Sequence, residues 1–127
     1  MTTSDIPQDL QYTSDHEWVA LAADVATVGI TAYAAGELGD VVFVALPEVG
    51  ADLRQGEVCG EVESHKSVSE VFAPVTGEVT EVNTTLQDEP GSVSEDPYGA
   101  GWLFRVRVAQ TPELMAPQAY GALLEGL

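Results

Sequence analysis

Short runs of β-branched and aromatic residues, each closed by a turn, recur along this chain of 127 residues. Runs of this kind predict strands, here at residues 17–21, 25–31, 41–46, 57–64, 68–73, 78–82 and 102–108. Their spacing has no βαβ rhythm, so a parallel sheet covered by helices is not expected. The sequence predicts a single mainly β domain over residues 1–127, a small sandwich or barrel with short helices at its edges.

Local signals refine the first half of the chain. The first two strands are predicted to form a hairpin. An alanine-rich stretch at 31–38 predicts a short helix, with Thr31 as its N-cap and Gly39 as its terminator. The continuous apolar run at 41–46 indicates a buried strand, and residues 47–56 are predicted to form a loop.

The second half contains one turn-rich stretch and one regular strand. Residues 83–101 are rich in glycine and proline and predict a long loop that is either functional or an ordered part of the surface. In the strand at 102–108, every second residue from Trp102 to Val108 is apolar, and Arg105 and Arg107 stand on the opposite, outer face.

The two ends of the chain differ in composition. Residues 1–9 are polar and predict a loose N-terminal tail. Residues 112–127 predict a C-terminal helical segment, in which residues 111–113 resemble a helix start and Pro117 interrupts the helix.

The charge balance narrows the classes of partner. The chain has 21 acidic and 4 basic residues, so its formal net charge is −17. Such a chain is repelled by nucleic-acid phosphates and by anionic membranes, and neither is an expected partner. Protein partners with basic docking surfaces fit this charge, because opposite fields speed encounter. The alternative is that the acidity serves only to keep the protein in solution.

Neither the cysteine content nor the hydropathy indicates secretion. Cys59 is the only cysteine and lies within a predicted strand, so it is interpreted as a structural residue that forms no intrachain disulfide. The N-terminus has no basic region followed by an apolar stretch, and no apolar run reaches membrane-spanning length. We therefore expect a cytoplasmic protein.

The sequence offers little catalytic chemistry. His16 and His65 lie in different contexts, and no serine or cysteine stands in a nucleophile elbow. No phosphate-binding glycine loop and no metal-ligand spacing is present. The chain by itself is therefore not expected to be an enzyme.

Lys66 is the only lysine of the chain, and it falls between two predicted strands. The tripeptide Gly-Glu-Val occurs at 56–58, 60–62 and 77–79, so strand-like segments flank Lys66 with rough symmetry. A lysine at a hairpin tip is accessible to an acylating enzyme, which makes it a candidate anchor for a prosthetic group. An ordinary solvent-exposed lysine is the alternative, and these features do not identify the group.

The order and spacing of several motifs resemble the H proteins of the glycine cleavage system. The resemblance extends from about residue 12 to residue 120. Its motifs are YTSDHEWV at 12–19, VGIT at 28–31, LGDVVFV at 38–44, LPEVG at 46–50, EVESHKS at 61–67, APVTGEV at 73–79, EVN at 81–83 and DPYGAGW at 96–102. The resemblance implies a flattened barrel-sandwich hybrid fold of the biotinyl/lipoyl type, with lipoate attached covalently to Lys66.

The same resemblance implies a function and a set of partners. The lipoyl arm would take the aminomethyl group of glycine from a pyridoxal-phosphate glycine decarboxylase. It would deliver this group to a tetrahydrofolate-dependent aminomethyltransferase and be reoxidised by an FAD-dependent dihydrolipoamide dehydrogenase. A lipoate ligase or a lipoyl/octanoyl transferase would attach the arm. The carrier is expected to be a monomer.

Two carboxylates resemble family positions near the loaded arm. A loaded arm is prone to hydrolysis, so it should be sheltered from water, and a carboxylate there would hold its cationic amine. Glu17 and Glu70 are the candidates, with solvated surface carboxylates as the alternative. Two positions depart from the family, since His65 replaces a small or β-branched residue and Ser94 replaces an asparagine.

Other carrier classes fit the sequence less well. A biotin carrier has methionine on both sides of its lysine, whereas here the neighbours are His65 and Ser67. Lipoyl domains of 2-oxoacid dehydrogenases have aspartate before the lysine and adjoin flexible linkers. A lipoyl-relay protein, which donates its acyl group to other lipoyl-dependent enzymes, and an unmodified interaction protein both remain as alternatives.

Overall fold

The computed structural model describes residues 6–110 and 112–127, and strands dominate it. The strands are β1 (Gln11–Tyr12), β2 (Glu17–Ala22), β3 (Val25–Ile30), β4 (Val41–Ala45), β5 (Asp52–Leu53), β6 (Val58–Ser64), β7 (Val68–Phe72), β8 (Gly77–Val82) and β9 (Phe104–Val108). The helices are α1 (Ala32–Leu38), α2 (Ser92–Glu95) and α3 (Pro117–Glu125), with a 3-10 helix at Thr84–Gln87.

The strands form two antiparallel sheets. One has six strands in the order β1-β2-β3-β9-β8-β5, and the other has three in the order β4-β6-β7. The prediction of a mainly β sandwich with short helices is therefore confirmed, and so is the hairpin of β2 with β3. The barrel part of that prediction is not, because no closed barrel forms among the described residues. The larger sheet ends at β1 and β5.

The inner faces of both sheets meet in one apolar core. Val28 and Val106 come from the larger sheet and Val62 from the smaller one, and all three are fully buried. A second cluster joins β1 and β2 to the C-terminal helix, where the rings of Tyr12 and Tyr120 stack with centroids 4.6 Å apart. Burial of this apolar area is the dominant force that holds the two sheets together.

Local capping explains the helix α1. Thr31 caps its N-terminus by accepting a hydrogen bond from the Ala34 backbone N–H, and Gly39 ends it with φ at 82°. Both sequence predictions are confirmed here. The positive φ suits glycine, which has no Cβ to collide with the neighbouring carbonyl.

Three predictions along the middle of the chain are wrong in part. The strand β4 is not buried, because it is an edge strand with a bulge, and Val42 and Phe43 are 40% and 52% exposed. The predicted loop 47–56 contains β5, which pairs with β8. The predicted loop 83–101 contains α2 and the 3-10 helix, which bury Val93 and Leu86.

The predictions at the two ends also need correction. Residues 112–116 are not helical, since Met115 bridges to Tyr12, and Pro117 begins α3 rather than interrupting a helix. Thr111 lies outside the described residues. Of the predicted tail, residues 1–5 also lie outside them, whereas Ile6 is buried and the Pro7 carbonyl accepts a hydrogen bond from Tyr12 Oη.

The helices and the single cysteine bear on two predictions, membrane spanning and thiol chemistry. None of the helices in the described parts of the chain is long and apolar enough to cross a membrane. Cys59 is half-buried, and its burial, aided by the nearby Glu17, raises the pKa of its thiol to about 12. A thiol that stays protonated is a poor nucleophile, which agrees with a structural role.

Candidate functional site

Lys66 lies on the exposed turn between β6 and β7. The last paired residues before this turn are Glu63 and Val68. The predicted hairpin placement of the lysine is therefore confirmed, and the lysine faces solvent at one end of the smaller sheet.

One buried hydroxyl shapes this turn. Ser64 Oγ accepts hydrogen bonds from the backbone N–H groups of Lys66 and Ser67, at 3.3 and 3.2 Å. The Ser64 N–H also donates to the Ser67 carbonyl at 2.9 Å. The turn is thus fixed by its own hydrogen bonds, and an ordered turn presents the lysine in a defined place.

The side chain of Lys66 passes over the end of α1. A Cβ added to Gly39 would lie 3.7 Å from Lys66 Cε. Beneath this point, Ser94 Oγ donates to the Gly39 carbonyl at 3.0 Å and accepts from the Val41 N–H at 2.8 Å. Ser94 therefore ties α2 to the segment that supports the lysine stem, which gives this departure from the family pattern a local structural role.

A cleft of about 320 Å³ opens beside the lysine turn. One wall is formed by Ser67, Val68 and Ser69, which follow the lysine directly. The residues of the other wall belong to α1 and to the segment before β2: Asp15, His16, Tyr33, Ala34, Glu37 and Leu38. The cleft has both an apolar and an acidic lining, so it suits a flexible apolar chain that ends in a cation.

His16 anchors this cleft to the core. Its backbone has φ at 66°, and its Nδ1 lies 2.8 Å from Tyr120 Oη, which in turn lies 2.7 Å from Thr31 Oγ1. Burial lowers the pKa of the His16 imidazole, against the opposing effect of Asp15 and Glu37. The neutral ring therefore serves as a hydrogen-bonded wall of the cleft.

Glu17 is buried, with 1% of its surface exposed. Its Oε1 accepts from Thr13 Oγ1 at 2.8 Å, and its Oε2 accepts from the Phe72 backbone N–H at 2.9 Å. Burial raises the pKa of this carboxyl group to about 7, although both hydrogen bonds act in the opposite direction. The side chain links β2 of one sheet to β7 of the other, and it is not among the residues that line the cleft beside Lys66.

Glu70 lies on the exposed outer face of β7, where it pairs across the strands with Glu61. The structure thus places the three predicted site residues in different surroundings. Lys66 is on the turn, Glu17 is inside the molecule, and Glu70 is on an outer sheet face. Burial excludes the description of Glu17 as a solvated surface carboxylate.

Sequence reasoning missed the helical wall of the cleft. Tyr33 Oη donates to Glu37 Oε1 at 3.0 Å, and this hydrogen bond raises the pKa of the Tyr33 phenol. The signal was present as a spacing of four residues on a predicted helix, which brings two side chains together. Within the described ranges, no three His, Cys, Asp or Glu side chains form a group that fits a metal ion.

Comparisons with known proteins agree on one family. Residues 10–126 match the family described as "Glycine cleavage H-protein". A glycine cleavage system H protein of Rubrobacter xylanophilus is 57% identical over 122 residues, covering 96% of this chain and 97% of the relative. One from Beutenbergia cavernae is 60% identical over 121 residues, covering 95% and 98%. The crystal structure of a glycine cleavage system H protein from Mycobacterium marinum superposes with a TM-score of 0.87 at 48% identity, covering 96% of this chain and all of that one.

Proposed function

Because this chain belongs to the glycine cleavage H-protein family, we propose that it carries lipoate on Lys66 and shuttles the aminomethyl group of glycine. Family membership carries the general role of a lipoyl carrier in the glycine cleavage system. The attachment residue and the individual reactions are our proposal. The observation that supports them most directly is that the chain's sole lysine stands on an ordered, exposed turn.

The residues present fit a lipoyl group. Attachment forms an amide between Lys66 Nζ and the carboxyl carbon of an activated lipoyl donor. The bond from that carbon to the leaving group breaks, the leaving group keeps the electron pair, and the ammonium releases two protons. The dithiolane ring of the bound group supplies the redox-active sulfurs that accept the aminomethyl cargo.

The chain's own residues provide position and shelter. The turn holds the Lys66 backbone through Ser64 Oγ, so the arm starts from a fixed point. The cleft beside the turn offers apolar walls at Val68 and Leu38 and an acidic group at Glu37. A cationic amine is stabilised by such a carboxylate, and exclusion of water from the cleft slows hydrolysis.

The roles of Glu17 and Glu70 as contacts of the arm remain predictions. Glu17 would have to exchange its hydrogen bond from the Phe72 N–H for one from the cargo. Glu70 is exposed on the outer face and is free to meet a partner enzyme there.

The proposed partners are the three enzymes that act in turn on the arm. They are the pyridoxal-phosphate glycine decarboxylase, the tetrahydrofolate-dependent aminomethyltransferase and the FAD-dependent dihydrolipoamide dehydrogenase. A lipoate ligase or a lipoyl/octanoyl transferase would supply the arm. The chain would be their shared substrate and not a catalyst, and its place in the cytoplasm as a monomer is part of the same proposal.

Intact-mass measurement tests the attachment site. Protein made with lipoylating enzymes should gain the mass of one lipoyl group, and Lys66→Arg should gain none, because arginine keeps the charge without offering a primary amine. A lipoyl adduct on Lys66→Arg would refute the assignment.

A second measurement tests the glycine role. Lipoylated protein should support glycine-dependent exchange of bicarbonate with its cognate decarboxylase, and the unlipoylated Lys66→Arg protein is the matched control. Full lipoylation without exchange would exclude the carrier role and favour the lipoyl relay.

A further inference from the structure

The outer face of the three-stranded sheet is exposed and combines apolar side chains with carboxylates. Cross-strand partners project to the same side of a sheet, so the register places two rows of three residues on this face. The residues of this acidic sheet face are Phe43, Glu63 and Val68 in one row, and Ala45, Glu61 and Glu70 in the next. Val62, which lies between the two rows, and Val71, which follows Glu70, point inward and belong to the core.

The row nearest the lysine turn is unusually apolar for an exposed surface. Phe43 is 52% exposed and Val68 is 54% exposed, and they flank Glu63 from either side. Val42, which precedes Phe43 at the bulge in β4, is also 40% exposed. Exposed apolar side chains grouped in this way and rimmed by charge are typical of protein-binding surfaces.

In the second row, two carboxylates face each other across β6 and β7, which destabilises the sheet when no partner is bound. Glu61 and Glu70 are direct cross-strand partners, and like charges at such positions are destabilising. The strands β4, β6 and β7 contain no lysine or arginine that would neutralise them. A basic partner surface would relieve this repulsion and gain favourable pairing.

We propose that the acidic sheet face is the docking surface for the enzyme that acylates Lys66, and that this enzyme presents an apolar pocket rimmed by basic side chains. The inference rests on the proposed lipoylation of Lys66. Its core is the apolar pair Phe43 and Val68, which a partner pocket would cover, with Glu61 and Glu70 as the charged rim.

The acidic sheet face lies next to the Lys66 turn, and this closeness favours the acylating enzyme over the enzymes that act on the finished arm. To form the amide, an enzyme must hold its acyl carbonyl carbon within about 3–3.5 Å of Lys66 Nζ. Its surface must therefore meet the turn itself, and Glu63 and Val68 are the last strand pair before that turn. Enzymes that act on the far end of a long flexible arm have no such need to contact this row.

The test is acylation of the full-length unmodified protein by a ligase charged with lipoyl-adenylate, followed by intact mass. Phe43→Thr should lower kcat/KM about tenfold, because aromatic anchors in interfaces dominate binding. The matched control is Leu21→Thr, which removes a similarly exposed side chain from β2 in the larger sheet. Calorimetry should show a parallel loss of ligase affinity for unmodified Phe43→Thr and little loss for unmodified Leu21→Thr.

A charge variant gives an independent measurement that leaves the packing intact. The double variant Glu61→Gln/Glu70→Gln should lower kcat/KM roughly fivefold at low salt and flatten its dependence on ionic strength. The control, Asp24→Asn/Asp52→Asn, removes the same charge from exposed positions outside the acidic sheet face, and should have a smaller effect.

The outcomes separate the two proposals. Equal kcat/KM and ligase affinity for Phe43→Thr and Leu21→Thr, with the wild type fully acylated, would overturn the docking surface and leave the attachment site standing. Equal effects of the two charge variants would overturn the charged rim. A wild-type protein that gains no lipoyl mass would overturn both.

Discussion

At the scale of single residues, Glu17 is the least expected feature. A carboxylate inside a core is costly unless its oxygens are hydrogen-bonded or it takes up a proton. Here both oxygens accept hydrogen bonds, from Thr13 Oγ1 and from the Phe72 N–H, yet burial still raises the pKa to about 7. The folded state is therefore favoured when this carboxyl group is protonated, because burial outweighs the two hydrogen bonds, which favour the ionised form.

This raised pKa predicts that the contribution of Glu17 to stability falls as pH rises. In the unfolded chain the carboxyl ionises near 4.5, and in the folded chain near 7, so the folded state holds the proton more tightly in between. The contribution is full below pH 4.5 and is lost as pH passes through 7, a difference on the order of 3 kcal/mol.

Urea denaturation at several pH values measures this effect. Glu17→Gln keeps an acceptor for the Phe72 N–H and offers its amide N–H₂ to Thr13 Oγ1, but it cannot ionise. The free energy of unfolding of the wild type, relative to this variant, should decline between pH 5 and pH 8. The comparison cancels the opposite contribution of His16, whose pKa is lowered. A constant difference across this range would show that Glu17 does not titrate there.

Lys66 and Glu17 show which site features a sequence can reveal. The position of Lys66 could be predicted from its neighbours alone, because a unique lysine between two strand-like runs indicates a hairpin tip. The structure confirms this hairpin. Glu17 is buried against β7 of the other sheet, where its carboxylate accepts from the Phe72 N–H, 55 residues away in sequence. No local pattern encodes that approach, so the sequence left Glu17 as either a contact of the arm or a solvated surface carboxylate.

At the scale of elements, the cap of α1 connects the cleft to the core. Thr31 is buried, accepts from the Ala34 N–H, and shares a hydrogen bond with Tyr120 on α3. One hydroxyl thus fixes both the start of the cleft wall and the docking of the C-terminal helix.

Removal of this hydroxyl should destabilise the protein. Thr31→Ala should lower the free energy of unfolding by about 1–3 kcal/mol, because a cap is lost and the buried Tyr120 hydroxyl loses a partner. Thr31→Ser retains the hydroxyl and should stay within about 1 kcal/mol of the wild type. Chemical denaturation followed by circular dichroism measures both, and equal losses for the two variants would attribute the effect to the lost methyl group.

Elements with self-contained signals are the ones that the sequence predicts well. The hairpin of β2 and β3 and the capped helix α1 follow from turns and caps within a few residues. The exposure of β4 does not, because it depends on the absence of a neighbouring layer over an edge strand. Likewise, β5 exists only through its pairing with β8, and two residues carry too little pattern to indicate a strand.

At the scale of the whole molecule, the uneven distribution of charge is the dominant feature. Two ion pairs are present in the described parts of the chain, Arg105 with Glu81 at 2.7 Å and Arg107 with Glu78 at 3.6 Å, and both join β8 to β9. Three of the four basic residues are arginines and the fourth is Lys66. Acylation would remove the positive charge of Lys66, so the formal charge would move from −17 to −18. In the three strands of the smaller sheet, which presents the lysine, the only charged side chains are carboxylates.

This imbalance predicts that salt stabilises the folded protein. Like charges repel more strongly in the compact state than in the expanded chain, and added salt screens that repulsion. Raising NaCl from about 0.01 M to about 1 M shortens the screening length from about 30 Å to about 3 Å. The melting temperature should rise by about 4 °C, because about 1 kcal/mol shifts it by roughly 4–8 °C in domains of 60–100 residues and by roughly 2–4 °C in those of 150–250.

Calorimetric melting at fixed pH measures the shift, and a neutral osmolyte at matched osmolality separates screening from preferential exclusion. Most of the rise should occur at the low end of the salt series, where screening changes fastest. A melting temperature that is flat up to about 0.1 M, where the screening length is already about 10 Å, would show that the carboxylates are too far apart to repel. In that case the acidity would matter only where carboxylates are held face to face, as Glu61 and Glu70 are across β6 and β7.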